Sequence, residues 1–254
     1  MRYIENEGRL VTSASDLKAA SECEFAWVRA IDARLGRVPQ VVEPEDLTLE
    51  RAARLGDRHE QRVLDEYLAD DPNGVATIEQ VSSGDAPALA EAVRLTNAAL
   101  ADPSMRIIYQ AAFATRDFVG FADFLVRDEN GRWLVQDTKL ARRARVTALM
   151  QLAAYVERLD DLGVERSDRV ELLLGDGTTS SHLVDDILPV YRLRYARLIE
   201  LIESRQVELG AGGAPTAWGD DRYFACGRCA TCQIEVEASR DLLLVAGMRP
   251  LQRT

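Results

Sequence analysis

Apolar and polar positions alternate along this chain with a helical spacing at both ends and a strand spacing in the middle. Ser13-Ala14-Ser15-Asp16 offers N-cap chemistry, and the pattern beyond it predicts a helical stretch through Arg34, with Cys23 and Trp27 one turn apart. Residues 46–70 read as a long helix with Leu49, Ala53, Leu64 and Leu68 among its apolar positions, and a third helix is predicted over 84–101. Three strand signals follow closely: Ile107–Ala114, Phe118–Arg127 and Trp133–Leu140. The link Asp128-Glu129-Asn130-Gly131 contains an Asn-Gly pair that favours a hairpin turn. A helix is expected at about 144–162, then strands Arg169–Leu174 and His182–Val184 around a Gly-Asp-Gly turn at 175–177. A long helix near 189–205 leads into a Gly/Pro-rich linker, Gly210–Pro215, and Ala238–Thr254 reads as helix without a stop signal. Glu7–Leu10 and the 210–221 stretch carry no interpretable pattern, and there is no internal repeat.

This order predicts an α/β protein, either one large domain or a core with a small cap. A hydrophobic content of 47% is enough for a substantial core, and no apolar run reaches the ~18 residues needed to span a membrane. Nothing at the start resembles a secretory signal, so a cytoplasmic location is expected. A net charge of −11 excludes a protein that coats nucleic acid by bulk electrostatics. It does not exclude a local basic track, for which Lys139, Arg142, Arg143 and Arg145 are the candidates.

The four cysteines are the most informative chemistry. Cys226, Cys229 and Cys232 stand in C-x2-C-x2-C spacing, which gathers three thiols around one small volume, and Cys23 is the only thiol left to complete the set. Residues three apart rarely form good disulfides, so a metal or cluster site clasping the chain's two ends is expected. Zinc sites usually pair two ligands at each end, whereas this run matches the one that holds an iron–sulfur cube in ferredoxins; the proline that often follows is missing, so zinc stays open.

The strands carry a second constellation. Asp123 lies in the second central strand and Asp137-Thr138-Lys139 in the third, where period-2 alternation turns Asp137 and Lys139 to one face. Two carboxylates beside an ammonium suit Mg2+ or Mn2+ and the stabilisation of charge on a phosphate. A lone D-x-K is a weak signal. Here it stands in an ordered set: G-x-x-H (Gly56 to His59), G-x-x-D (Gly120 to Asp123), D-x-K, and Q-x-x-x-Y (Gln151 and Tyr155, on one helix face).

On these motifs the chain resembles RecB-type nucleases of the PD-(D/E)xK superfamily, in the iron–sulfur branch that includes AddB and the CRISPR-associated exonucleases. It is most similar to the nuclease module of bacterial nuclease–helicase proteins, and the abrupt end at Thr254 suits a module cut from a longer polypeptide. The resemblance runs from the S-x-S-D-L segment before Cys23 to the last cysteine. It implies a restriction-endonuclease-like core, a central mixed sheet flanked by helices, over 46–209. Residues 1–45 and 210–254 would form a helical, cluster-stapled subdomain. It further implies His59, Asp123 and Asp137 as ligands of Mn2+ or Mg2+, with the Thr138 carbonyl adding one more. Lys139 would be the catalytic lysine, Gln151 and Tyr155 contacts to DNA or to the active site, and Cys23, Cys226, Cys229 and Cys232 the ligands of a structural 4Fe-4S cluster. The implied substrate is DNA, single-stranded by preference, with a helicase in cis or in trans and no membrane partner. Two positions depart from the family pattern: Asp137 where many relatives carry Glu, and a shorter gap before the last cysteine. The rival expectations are a catalytically inactive iron–sulfur module that grips DNA for a helicase, and a zinc-stabilised structural domain. Metal-dependent cleavage separates the first, and the brown colour of an iron–sulfur cluster the second.

Overall fold

The computed structural model describes residues 1–4, 7–42, 46–82, 84–209, 213–249 and 252, with no side chains described at 206–209. A short antiparallel pair, β1 (Arg2–Ile4) and β2 (Arg9–Val11), precedes helices α1 (Ala14–Glu22), α2 (Glu24–Arg34) and α3 (Leu47–Asp70). Then come β3 (Val75–Thr77), α4 (Ala86–Ala101), β4 (Ile107–Ala114), β5 (Val119–Arg127), β6 (Trp133–Lys139) and α5 (Val146–Asp161). Strands β7 (Arg166–Leu174) and β8 (Thr179–Leu183) and helices α6 (Val184–Leu209) and α7 (Ala230–Ser239) complete the order, with a 3-10 turn at Leu242–Leu244. Strands β3 to β8 form one mixed sheet in sequence order, with β3–β4 and β6–β7 parallel and the other pairs antiparallel.

Alternation sorts the strand residues between two layers. Ile108, Leu125 and Val135 join the main core with α1, α2, α4, α5 and α6, while Ile107, Phe124 and Val126 turn the other way onto Val63, Leu64 and Tyr67 of α3. The sheet is therefore covered by helices on both faces, which is why β4 reads as a nearly unbroken apolar run. Among the described residues, no helix is long and apolar enough to cross a membrane.

Several expected boundaries shift, each for a local reason. The single stretch from Ser13 to Arg34 is two helices, because Cys23 adopts an extended backbone (φ −163°) and caps α2, its sulfur accepting the Ala26 N–H at 3.4 Å. Ser13 opens α1, its N–H donating to Asp16 Oδ2 at 2.9 Å. Helix α6 begins at Val184 and runs through Pro189, giving up the hydrogen bond to the Asp185 carbonyl. The expected helix over 238–254 is displaced: α7 covers 230–239, Arg240 ends it in the left-handed region, and residues 250, 251, 253 and 254 lie outside the described set. Strands β1, β2 and β3 were not expected; at three residues each they are too short for periodicity to register. Of the predicted linker, residues 210–212 lie outside the described set.

Candidate active site and cysteine centre

The candidate site forms where β5 and β6 separate. Their ladder ends at the pair Phe124↔Gln136, and the next residues on the two strands are Asp123 and Asp137. Beyond that point the Thr138 N–H has no ladder carbonyl. It donates instead to Asp123 Oδ2 at 3.0 Å, which fixes that carboxylate against β6. Asp137 is 2% exposed; Lys139 Nζ lies 2.5 Å from its Oδ2, yet neither carboxylate oxygen receives an aligned hydrogen bond. Burial pushes the Asp123 carboxyl up to about 7, and the adjacent Asp137 charge adds to the effect. Buried, poorly donated oxygens on two like charges are the condition that a hard divalent cation relieves, so these residues fit such an ion.

Helix α5 brings in the Q-x-x-x-Y pair. Tyr155 is buried under Phe113, ring centroids 5.9 Å apart, and its hydroxyl is engaged by Gln151 and the Phe121 backbone. Burial and then the two aspartate charges push its ionisation upward, so it stays a neutral phenol. Gly120 makes room for it, since a Cβ there would meet Tyr155 Cε1 and Phe118 Cζ at 3.0 Å.

Two clefts flank this centre. One, of about 910 Å³, is lined by Asp123, Gln151 and Tyr155 together with Asp57, Glu60 and Gln110. The other, of about 560 Å³, is lined by Lys139, Lys18, Arg143 and Arg145, and shares Ala14, Ser15 and Gln151 with the first. An acidic cleft thus continues into a basic one across the start of α1. Three members of the basic track reach this second cleft; Arg142 does not line it.

His59 is not brought to the aspartates. Its Nε2 meets the Leu173 carbonyl at 3.1 Å and its Nδ1 meets the Arg62 guanidinium at 2.7 Å, in a separate cleft beside the 175–177 turn. With Nδ1 accepting from Arg62, Nε2 carries the proton and donates to Leu173. The acidic group that does face Asp123 is its neighbour Glu60, whose carboxylate is hydrogen-bonded by Tyr109 and Gln110. Burial raises the Glu60 carboxyl, and the Asp123 charge raises it further. Gln110 holds a left-handed backbone (φ 56°) mid-strand, opposite Asp123, an uncommon conformation for a non-glycine residue. The sequence reading missed both residues. A glutamine inside the apolar run Ile107-Ile108-Tyr109-Gln110-Ala111-Ala112-Phe113 was the available signal.

The four cysteines do converge. Their sulfurs all lie within 4.8 Å of one another, with Cys23–Cys232 at 3.5 Å and Cys226–Cys232 at 3.9 Å. Among the described residues this is the only such group of three or more His, Cys, Asp or Glu. Backbone N–H groups of Ala26 and Cys226 donate to Cys23 Sγ, and that of Cys229 to Cys226 Sγ, each at 3.4 Å. The Cys232 thiol and these N–H groups hold Cys23 down at about 5, while burial pushes Cys229 up to about 11 and the Cys23 sulfur pushes Cys232 up. A tetrahedral ion with bonds of about 2.3 Å has sulfur–sulfur edges of about 3.8 Å, so the quartet as placed fits a single ion. A 4Fe-4S cube interposes iron and sulfide between the thiolates, and so requires them to stand farther apart.

No protein-family description matches this chain, and no curated protein is similar to it. Among crystal structures, that of a candidate exonuclease from Eubacterium rectale is similar over 96% of either chain, at 13% identity and a TM-score of 0.40. A likeness this loose carries no argument about activity.

Proposed function

We propose that this chain is a divalent-metal-dependent DNA nuclease that hydrolyses phosphodiesters at Asp123, Asp137 and Lys139. The observation that carries this reading is the parting of β5 and β6, which leaves two carboxylates and an ammonium side by side, with the Asp137 carboxylate buried and paired only with Lys139. The ordered motifs and the resemblance to RecB-type nucleases of the PD-(D/E)xK superfamily support it.

Asp123 and Asp137 would hold the cation, with the Thr138 carbonyl as a further oxygen; the resemblance adds His59, which stands here in a separate cleft with both ring nitrogens engaged. When bound, the ion supplies Lewis acidity and a water of lowered pKa. Lys139 offsets negative charge as it develops on the phosphate. The Thr138 N–H keeps Asp123 in one orientation, and Gln151 reaches both clefts, where it can orient the substrate. The basic cleft offers Lys18, Arg143 and Arg145 to a DNA backbone, single-stranded by preference as the resemblance implies. A helicase, in cis or in trans, would supply that strand.

The cysteine quartet is a structural metal centre in this reading. Its C-x2-C-x2-C spacing speaks for a 4Fe-4S cluster and its short sulfur separations for a single zinc ion. Anaerobic purification decides: a brown protein with iron and sulfide carries the cluster, a colourless one with one zinc per chain the ion.

The activity is tested with end-labelled single-stranded and duplex DNA in Mn2+, Mg2+ or EDTA. Wild type should shorten the single strand only with metal. Asp137→Asn and Lys139→Ala should each lose cleavage by about a hundredfold or more, with the cysteine centre intact. Retained cleavage in either purified variant sinks the assignment, and wild-type binding without cleavage points to an inactive DNA-gripping module.

A further inference from the structure

The Gly-Asp-Gly turn between β7 and β8 carries two glycines, and only one of them is explained by its backbone angles. Gly177 holds a left-handed backbone (φ 83°), with open space where a Cβ would point. Gly175 lies outside that region. A Cβ on it would stand 2.5 Å from the Leu140 carbonyl oxygen and 2.9 Å from the Leu140 carbonyl carbon and Cα. All three atoms are backbone, so no side chain can swing aside to admit a methyl.

Leu140 directly follows Lys139. Strands β6 and β7 run parallel as far as the pair Lys139↔Leu174, and the next residues on the two strands are Leu140 and Gly175. There the Gly175 N–H donates to the Ala141 carbonyl at 3.3 Å. Among the described residues, that carbonyl is the one backbone group of 141–144 with a hydrogen bond inside the protein. The turn on the other side of the contact is stiff. The Leu174 N–H donates to the Thr178 carbonyl at 2.9 Å, and Asp176 accepts from the Thr178 N–H and hydroxyl at 3.1 and 2.7 Å.

We infer that Gly175 is a positioning residue for Lys139. Its bare Cα lets β7 lie against the Leu140 peptide, which fixes both the start of the basic loop and the backbone from which Lys139 reaches Asp137. The inference rests on the nuclease reading above. A methyl at 175 forces the two backbones apart by about 0.5 Å or more, the limit within which a catalytic group must be held. Arg143 and Arg145 tolerate such a shift better, because they meet a row of equivalent phosphates, whereas Lys139 must meet the one that reacts.

The test compares wild type, Gly175→Ala and Gly177→Ala as full chains with the cysteine centre loaded, their fold checked by far-ultraviolet circular dichroism. Two quantities are read: steady-state cleavage of single-stranded DNA with Mn2+, and the rate of limited trypsin cutting after Arg142, Arg143 and Arg145. Gly175→Ala should lower kcat about tenfold to a hundredfold while KM stays within about threefold, and trypsin should cut its loop faster. Gly177→Ala, strained in the same turn but clear of Leu140, should keep kcat near wild type. Unchanged kcat in Gly175→Ala, or an equal loss in Gly177→Ala, overturns the inference while wild-type cleavage keeps the nuclease reading. A rise in KM alone overturns it as well, since the effect would then lie in DNA binding. A wild type that cleaves no DNA removes the nuclease reading and the inference together. If Gly175→Ala does not fold, amide exchange in wild type decides. The Gly175 N–H should exchange about tenfold or more slowly than that of Asp176, and equal rates would deny the contact on which the inference stands.

Discussion

Asp137 shows how much one side chain depends on where a ladder stops. In a continuous β5–β6 pair its strand would carry only a surface ion pair, the ordinary outcome for Asp-x-Lys. Because pairing ends at Phe124↔Gln136, the carboxylate is enclosed beside Asp123 instead. Gly120 is the complementary case: the G-x-x-D motif marks it, and the reason lies in α5. A methyl there would press at 3.0 Å on Tyr155 and Phe118, both buried and unable to retreat freely. Gly120→Ala is therefore expected to cost about 1–3 kcal/mol by overpacking, read as a lower midpoint in urea, and to slow cleavage by displacing Tyr155. An unchanged midpoint would mean that the aromatic layer can yield.

At the scale of elements, α2 is the hub. Its Asp32, fully buried, pairs with buried Arg205 of α6, and also accepts from Arg37 at 3.2 Å and from the Thr216 N–H at 2.8 Å. At its first residue, Glu24 takes two 2.8 Å hydrogen bonds from Arg197 of α6 and one of 3.0 Å from the Phe224 N–H. These contacts lock α2 to α6 and to the segment that leads into the cysteines. Asp32 is the carboxylate shared by buried Arg205, Arg37 and the Thr216 N–H, so removing it in Asp32→Ala should destabilise by about 3–5 kcal/mol. Chemical denaturation checks this; a loss below about 1 kcal/mol would show that water reaches Arg205 in the variant.

Across the whole molecule, Cys23 and the 226–232 run close a loop that contains the entire six-stranded sheet, so a metal held by the four cysteines would fasten the ends of the fold around the candidate active site. Cys23→Ser should abolish metal retention and lower the melting temperature, and chelation of wild type should reproduce that shift; equal melting with and without metal would deny the centre a structural role. The long elements were legible from the sequence alone, because α4, α5 and β4 to β7 each bury a periodic apolar face, and periodicity survives without knowledge of partners; α3 buries only Val63 and Leu64 of its apolar residues, and the expected Leu49 and Ala53 are exposed. The cysteine quartet was legible too, since three thiols at fixed spacing leave one coordination position and one free cysteine. What the tertiary structure alone decided is which neighbour points where. The break at Cys23, the outward turn of His59, the approach of Glu60 and the left-handed Gln110 all depend on contacts between segments far apart in the chain, and helix and strand periods do not encode the rotation that sets one helix residue, rather than the next, over a site.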